Sequence, residues 1–170
     1  MTTVFVSKRL GLAMTDSRVT YSTSRYLAGV FPLTPSIRYG VVNQKALYIH
    51  DRLFLASGDV KTITYIMQYL VSQIPVQDRI DKDTPSCDAL LIGEDYAIHM
   101  TVYKGKFRKR TIFFDNDWVC IMGSGSPALS HMLYRKYNPL SFTTDYAIQE
   151  FSKVKDADQY TDDNINLYRI

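Results

Sequence analysis

The feature that most restricts what this chain can fold into is the order of its two periodicities. Segments that alternate every second residue come first. One helical stretch follows, then more alternating segments, two further helical stretches and a closing strand. The first helical stretch places Ile63, Ile66, Met67, Leu70 and Ile74 on one face, and the later two have one apolar stripe each. A helix of that kind must bury one side and keep the other wet. Elements of these types in this order fit two sheets packed face to face with helices outside them. Thirteen Tyr and eight Phe favour strands. A length of 170 residues with 46% hydrophobic content supplies one domain, residues 1–170, with a sizeable core.

The boundaries follow from local chemistry. Residues 2–7 read as a strand, Lys8-Arg9-Leu10-Gly11 as a turn and residues 12–15 as the return strand. Gly29, Pro32, Pro35 and Gly40 break residues 21–44 into a long, partly extended excursion. Residues 45–49 and 52–56 form a hairpin turning at His50-Asp51. Asp59 is the expected N-cap of a helix that Pro75 stops. Strands are expected over 87–93 and 96–103. A basic turn over 104–110 should lead into a strand at 111–114. A buried strand follows at 118–122, with helices at 127–137 and 143–156 and a last strand at 164–170.

Two short motifs carry chemistry. Met1-Thr2 is a junction that aminopeptidases cleave readily, which would leave Thr2 with a free α-amine beside its own hydroxyl. A threonine hydroxyl is a weak nucleophile until a base takes its proton, and a terminal amine can be that base. Asp16-Ser17-Arg18-Val19-Thr20 supplies a carboxylate after the second strand. Each piece alone has a bland reading. Thr after Met is common, Asp16-Ser17-Arg18 makes an ordinary turn, and Lys45 is a strand-edge lysine. Gly123-Ser124-Gly125-Ser126 alone is a strand-to-helix turn, and Asp158 and Thr161 alone end a helix.

Taken in order, these segments resemble the proteasome β-type peptidases, and in particular the HslV branch. Thr2-Thr3-Val4 through Gly11 is similar to the HslV opening. Asp16-Ser17-Arg18, Lys45, Ala56-Ser57-Gly58 and Gly123-Ser124-Gly125-Ser126 resemble further family motifs, as does Asp158-Gln159-Tyr160-Thr161 before Asn166-Leu167-Tyr168. The resemblance spans nearly the whole chain and implies a four-layer αββα sandwich of the N-terminal-nucleophile hydrolase type. It implies a self-compartmentalising threonine endopeptidase that cleaves unfolded polypeptides by acyl transfer once Met1 is removed. By the same resemblance Thr2 is the nucleophile, Lys45 assists the alkoxide and Asp16 positions that ammonium. Ser124, Asp158 and Thr161 hold the amine, and the Gly58 N–H donates to the oxyanion. A ring or stacked rings of identical chains in the cytoplasm, with an ATP-dependent unfoldase as a possible partner, is the implied assembly. Small Ala56 would open the specificity pocket to a large apolar side chain.

The chain also departs from the family pattern. Asp162-Asp163 stands where small glycines are usual, and residues 16–45 span more chain. The connector after the first helix is too short for a second helix, so one outer helical layer is reduced. The alternative reading is a non-catalytic proteasome-like assembly or interaction protein.

Other partners find little support. The net charge of +3 is too small to imply nucleic acid. The five cations over 104–110 read as a solvated hairpin. His50, His99 and His131 lack metal-ligand spacing, so neither metal nor cofactor is expected. Cys87 and Cys120 lie in apparent strands and are expected as buried free thiols, consistent with a reducing compartment. No run approaches membrane-spanning length. Residues 2–7 and 45–49 are expected as near neighbours in one sheet, with one helix on one outer face and two on the other. Tyr65, Tyr69, Tyr134 and Tyr146 are expected as exposed interface aromatics.

Overall fold

The structure is a computed structural model that describes residues 2–27, 31–41, 45–135 and 143–170, with backbone alone at 19–27, 31–41 and 134–135. Two antiparallel sheets and three α-helices make up the described core. Strands β1 (Val4–Ser7) and β2 (Leu12–Asp16) form the first hairpin, with Val4 opposite Thr15. Gly11 closes its turn at φ +59°, a left-handed conformation that glycine adopts without a Cβ clash.

Both strands are buried on both faces, and their alternation divides two cores. Val4, Val6 and Ala13 pack with Leu53, Leu55 and Leu90 of the second sheet. Phe5, Leu12 and Met14 point the other way, onto Leu129, Leu133 and Phe151 of the later helices. Burying a side chain such as Phe5 contributes about 1.5–3 kcal/mol, so the hairpin is held from both sides. The four-stranded sheet is completed by β10 (Val119–Met122) beside β1 and β11 (Ile165–Arg169) beside β2.

The hairpin β5 (Ala46–Ile49) and β6 (Arg52–Gly58) turns where expected. His50 and Asp51 both have positive φ, at 49° and 60°, as a two-residue primed turn requires. It belongs to a five-stranded sheet in the order β5-β6-β7-β8-β9, with β7 (Cys87–Ile92), β8 (Tyr96–Tyr103) and β9 (Lys106–Phe113). Residues 2–7 and 45–49 are therefore not neighbours in one sheet. They face each other from different sheets, and side chains bridge the gap.

Helix α1 (Val60–Ser72) begins at Asp59, whose carboxylate accepts from Thr62 N at 2.9 Å, and ends at Gln73 in a left-handed conformation. It packs Ile66 onto the outer face of the five-stranded sheet with Phe54, Ala56, Ala89 and Met100. Val76, just beyond, is 1% exposed and fills the same core. Helices α2 (Ser126–Arg135) and α3 (Thr144–Ser152) cover the four-stranded sheet. Thr143 caps α3 by accepting from Tyr146 N.

Several expectations are corrected. Within residues 21–44 the described backbone is a long two-stranded ribbon, β3 (Arg18–Leu27) with β4 (Phe31–Val41). The prolines that read as breakers are tolerated because both strands are edges, and Pro35 falls at a register shift between Thr23 and Arg25. The basic turn shrinks to Lys104-Gly105, both at positive φ, and the other cations lie along the edge strand β9. Trp118–Met122 is not a fully buried strand: in β10 only Met122 is buried. Tyr65, Tyr69 and Tyr146 are half-buried rather than exposed. Tyr69 stacks edge-on against Phe107. The Tyr134 side chain lies outside the described residues. Among the described residues no helix is long and apolar enough to cross a membrane.

Candidate active site

The end of β2 brings a carboxylate within reach of Lys45 from the other sheet. Asp16 is fully buried, and three donors converge on it. Thr3 N donates to Oδ1 at 2.7 Å, Arg18 N donates to Oδ2 at 3.1 Å, and Lys45 Nζ donates to Oδ2 at 3.0 Å. Lys45 immediately precedes β5 in the opposite sheet. Its backbone N–H donates to Tyr168 Oη of β11 at 3.3 Å, and its ammonium also donates to the Arg18 carbonyl. The Lys45 side chain is 7% exposed. Burial pushes the Asp16 carboxyl above the usual range and holds the Lys45 ammonium below the ordinary lysine value; their mutual attraction opposes both shifts. The result is a dry ion pair one residue from Thr2.

Thr2 is gripped by two glycine turns. Its carbonyl accepts from Ser57 Oγ at 2.7 Å. Gly123, at φ +95°, lies so close that a Cβ there would stand 1.6 Å from the same carbonyl oxygen. Gly58, next to Ser57, sits at φ +125°, and a Cβ there would meet Ser86 O at 2.5 Å. Both positions require glycine for backbone conformation and for space. Between these turns opens a cleft of about 520 Å³ whose lining includes Ser57, Gly58, Gly123 and Ser124.

A second network gathers the remaining expected residues. Ser124 Oγ donates to Asp158 Oδ2 at 2.6 Å, and Thr161 Oγ1 donates to the same oxygen at 2.7 Å. Thr161 Oγ1 and Thr3 Oγ1 are 2.6 Å apart, and Gly125 N donates to Thr3 Oγ1 at 3.1 Å. The hydrogen bonds of Ser124, Asp158 and Thr161 thus run to the Thr3 hydroxyl. Thr3 carried no role of its own in the sequence reading. Met1 lies outside the described residues.

One further residue was missed. Asp162, 8% exposed, accepts from Ser17 N at 3.0 Å and from Ser17 Oγ at 2.8 Å. It ties the 158–163 loop to the β2–β3 junction and adds a second negative charge that favours the protonated form of Lys45. The acidic residue in place of a glycine was the signal in the sequence. Ala56 does not line the cleft: it faces α1, packed with Ile66 and Met100. Cys87 and Cys120 are free, and burial raises their thiols to about 12 and about 11. Among the described residues no group of His, Cys, Asp and Glu converges as a metal site.

The fold is similar to a solved structure of eukaryotic HslV from Trypanosoma brucei, with a TM-score of 0.56 and 10% identity over 98% of this chain and 97% of that one. That likeness defines an HslV-like fold. No family model matches the sequence. No curated protein matches it either.

Proposed function

We propose that this chain is a threonine-type endopeptidase whose nucleophile is Thr2, acting once its α-amine is free. The observation that carries the reading is the buried Asp16–Lys45 pair, tied through Thr3 N to the residue next to Thr2, whose carbonyl is held by Ser57 of the cleft lining. In this mechanism the Thr2 amine takes the proton from the Thr2 hydroxyl, and the oxygen attacks a peptide carbonyl. The Lys45 ammonium lowers the cost of the developing negative charge, and Asp16 holds that ammonium in place. The Gly58 N–H donates to the oxyanion, an interaction whose loss typically costs about 10²–10³ in rate. The amine then protonates the leaving nitrogen, an ester remains on Thr2, and water activated by the same amine hydrolyses it. Ser124, Asp158 and Thr161 order the polar groups around Thr3 and so fix the first strand.

The wider reading goes with this. The three packing clusters are read as the αββα layers of a single N-terminal-nucleophile domain with a reduced outer helical layer. The substrate is an unfolded polypeptide, the working form a homo-oligomeric ring in the cytoplasm, and an ATP-dependent unfoldase a possible partner. Exposed Tyr48, Val60 and Val71, each more than half exposed, supply apolar surface for assembly.

The test is turnover by protein beginning at Thr2. Fluorogenic peptides should be cleaved, and an acyl group should be found on Thr2 by mass spectrometry of quenched reactions. A correctly processed, folded and assembled protein that cleaves no peptide would overturn the proposal and favour a non-catalytic assembly role.

A further inference from the structure

The inner face of the five-stranded sheet breaks its own pattern at one corner. Residues directly opposite in a sheet point to the same face. Ser57 lies opposite Asp88, Asp88 opposite Thr101, and Thr101 opposite Arg108. Ser57 reaches the Thr2 carbonyl in the other sheet, so this whole row faces inward. The next inward row starts apolar at Leu55 and Leu90, then becomes His99 and Arg110. The row beyond it, Leu53, Ile92, Ala97 and Ile112, is apolar throughout. Inward positions ought to be apolar here, and a polar cluster that breaks the pattern without a packing gain marks a site.

The cluster has an internal order. Arg110 Nε donates to His99 Nδ1 at 3.3 Å, so the imidazole proton sits on Nε2 and is donated to Asp88 Oδ1 at 3.2 Å. That arrangement orients Arg110 through one nitrogen of its guanidinium. Its two terminal nitrogens, and the whole Arg108 guanidinium, make no hydrogen bond to any described residue. His99, Thr101, Arg108, Lys109 and Arg110 line a hollow of about 480 Å³, and among the described residues no carboxylate lines it. Asp88, His99 and Arg110 also line the 520 Å³ cleft that begins at Ser57 and Gly58.

We infer that this corner is an anion subsite that receives a carboxylate of the polypeptide lying in the cleft, with Arg110 and Arg108 as its ligands. The inference rests on the peptidase reading for the identity of the ligand. Guanidinium groups match carboxylates as paired donors, which a lysine cannot. The spacing sets the position. Ser57 and Arg108 are three strand spacings apart, about 14 Å at ~4.8 Å each, and an extended peptide rises ~3.3 Å per residue. The acidic side chain, or the terminal carboxylate, therefore falls about four residues from the bond presented to Thr2. A peptide is favoured over a nucleic acid because the hollow and the cleft share His99 and Arg110, so a ligand held there runs on toward Ser57 and Gly58.

The experiment separates the subsite from catalysis. Labelled nonapeptides that differ only in the position of a single Glu, with Gln controls, are bound to the full-length Thr2→Ala protein and followed by fluorescence anisotropy. One Glu position should bind at least five-fold tighter than its Gln control. The ratio should fall below two in Arg110→Gln, in Arg108→Gln, and in wild-type sequence at Arg108 and Arg110 raised to 0.5 M salt. Circular dichroism melts confirm that each variant is folded. Equal binding of all Glu and Gln peptides, or a preference that survives both arginine substitutions, would overturn the subsite even if Thr2 protein cleaves peptides. So would displacement of the Glu peptide by a twelve-residue oligothymidylate at lower concentration than by unlabelled Glu peptide. A Glu preference that depends on Arg110, in a protein whose Thr2 form cleaves nothing, would support the subsite and sink the peptidase reading.

Discussion

The Asp16–Lys45 pair at the end of β2 and the Asp88–His99 pair of the five-stranded sheet live under opposite conditions. Asp16 and Lys45 are 0% and 7% exposed and joined at 3.0 Å. Asp88 and His99 are 49% and 17% exposed and joined at 3.2 Å. The distances are nearly the same, so geometry alone does not distinguish them; solvent does. A charge pair at ~4 Å is worth about 1 kcal/mol in bulk water and several times more where water is excluded. Burial also imposes a desolvation cost of several kcal/mol per ion. The dry pair therefore carries energetic tension, visible as shifts of both groups toward neutrality. Solvent reaches the second assembly, so it can exchange its partners for those of a ligand.

The sharpest way to separate the two is the double substitution Asp16→Asn with Lys45→Met. If the dry pair serves chemistry rather than folding, peptide turnover should fall by about 10³–10⁴-fold, the scale seen when one member of a nucleophile–base–orienter set is lost. Urea unfolding should show stability unchanged or higher. A double variant that unfolds easily would mean that the pair is structural. The second substitution set sharpens the same point. Asp16→Ala alone strands a buried ammonium and removes the acceptor for Thr3 N, with an expected loss of about 3–5 kcal/mol.

How far this contrast was legible in the sequence depends on the kind of residue. Asp16, Lys45, Gly58 and Ser124 were legible as motifs, and so were the turns at His50-Asp51 and the cap at Asp59, because local chemistry fixes them. The pairing of Ser57 with the Thr2 carbonyl, and of Asp162 with Ser17, was not, since each joins positions more than fifty residues apart. The β3–β4 ribbon was hidden because Pro32 and Pro35 read as breakers, whereas a two-stranded ribbon offers two edges where proline costs no ladder bond. His99 and Arg110 were the least visible. Their alternation looks the same whether the strand's polar side faces solvent or the inter-sheet gap, and the register with Ser57 decides which.

Acidity provides a third, smaller test. Because burial raises Asp16, the folded protein holds more protons than the unfolded chain between 3.8 and the folded value, so stability falls as pH rises through that window. Because burial lowers Lys45, the unfolded chain holds more protons between the folded value and 10.5, so stability rises again toward high pH. Both contributions make the charged pair most costly in between. The Asp16→Asn, Lys45→Met variant should hold its advantage, up to about 1–4 kcal/mol, near neutral pH and lose it toward pH 4 and pH 10.5. Parallel urea titrations of the two proteins across that range measure it. A gap that widens toward either extreme would contradict the assigned directions.

The smallest effect is expected at the wet assembly. Asp88→Ala removes the acceptor for His99 Nε2, but water reaches both groups, so the imidazole recovers a partner at once. With Nδ1 accepting from Arg110, the contact is one imidazole N–H donated to a solvated carboxylate, and the loss should be about 1 kcal/mol or less. Its dependence on salt is the more telling readout. Screening over a Debye length of ~8 Å at physiological ionic strength weakens an exposed interaction and leaves a buried one largely intact. Between 0.05 and 0.5 M NaCl the Asp88→Ala difference should vanish within error, whereas the Asp16→Ala difference should stay. Equal salt responses at the two sites would mean that both are solvated alike, and the proposed division of labour between a dry catalytic pair and a wet recognition corner would fail with it.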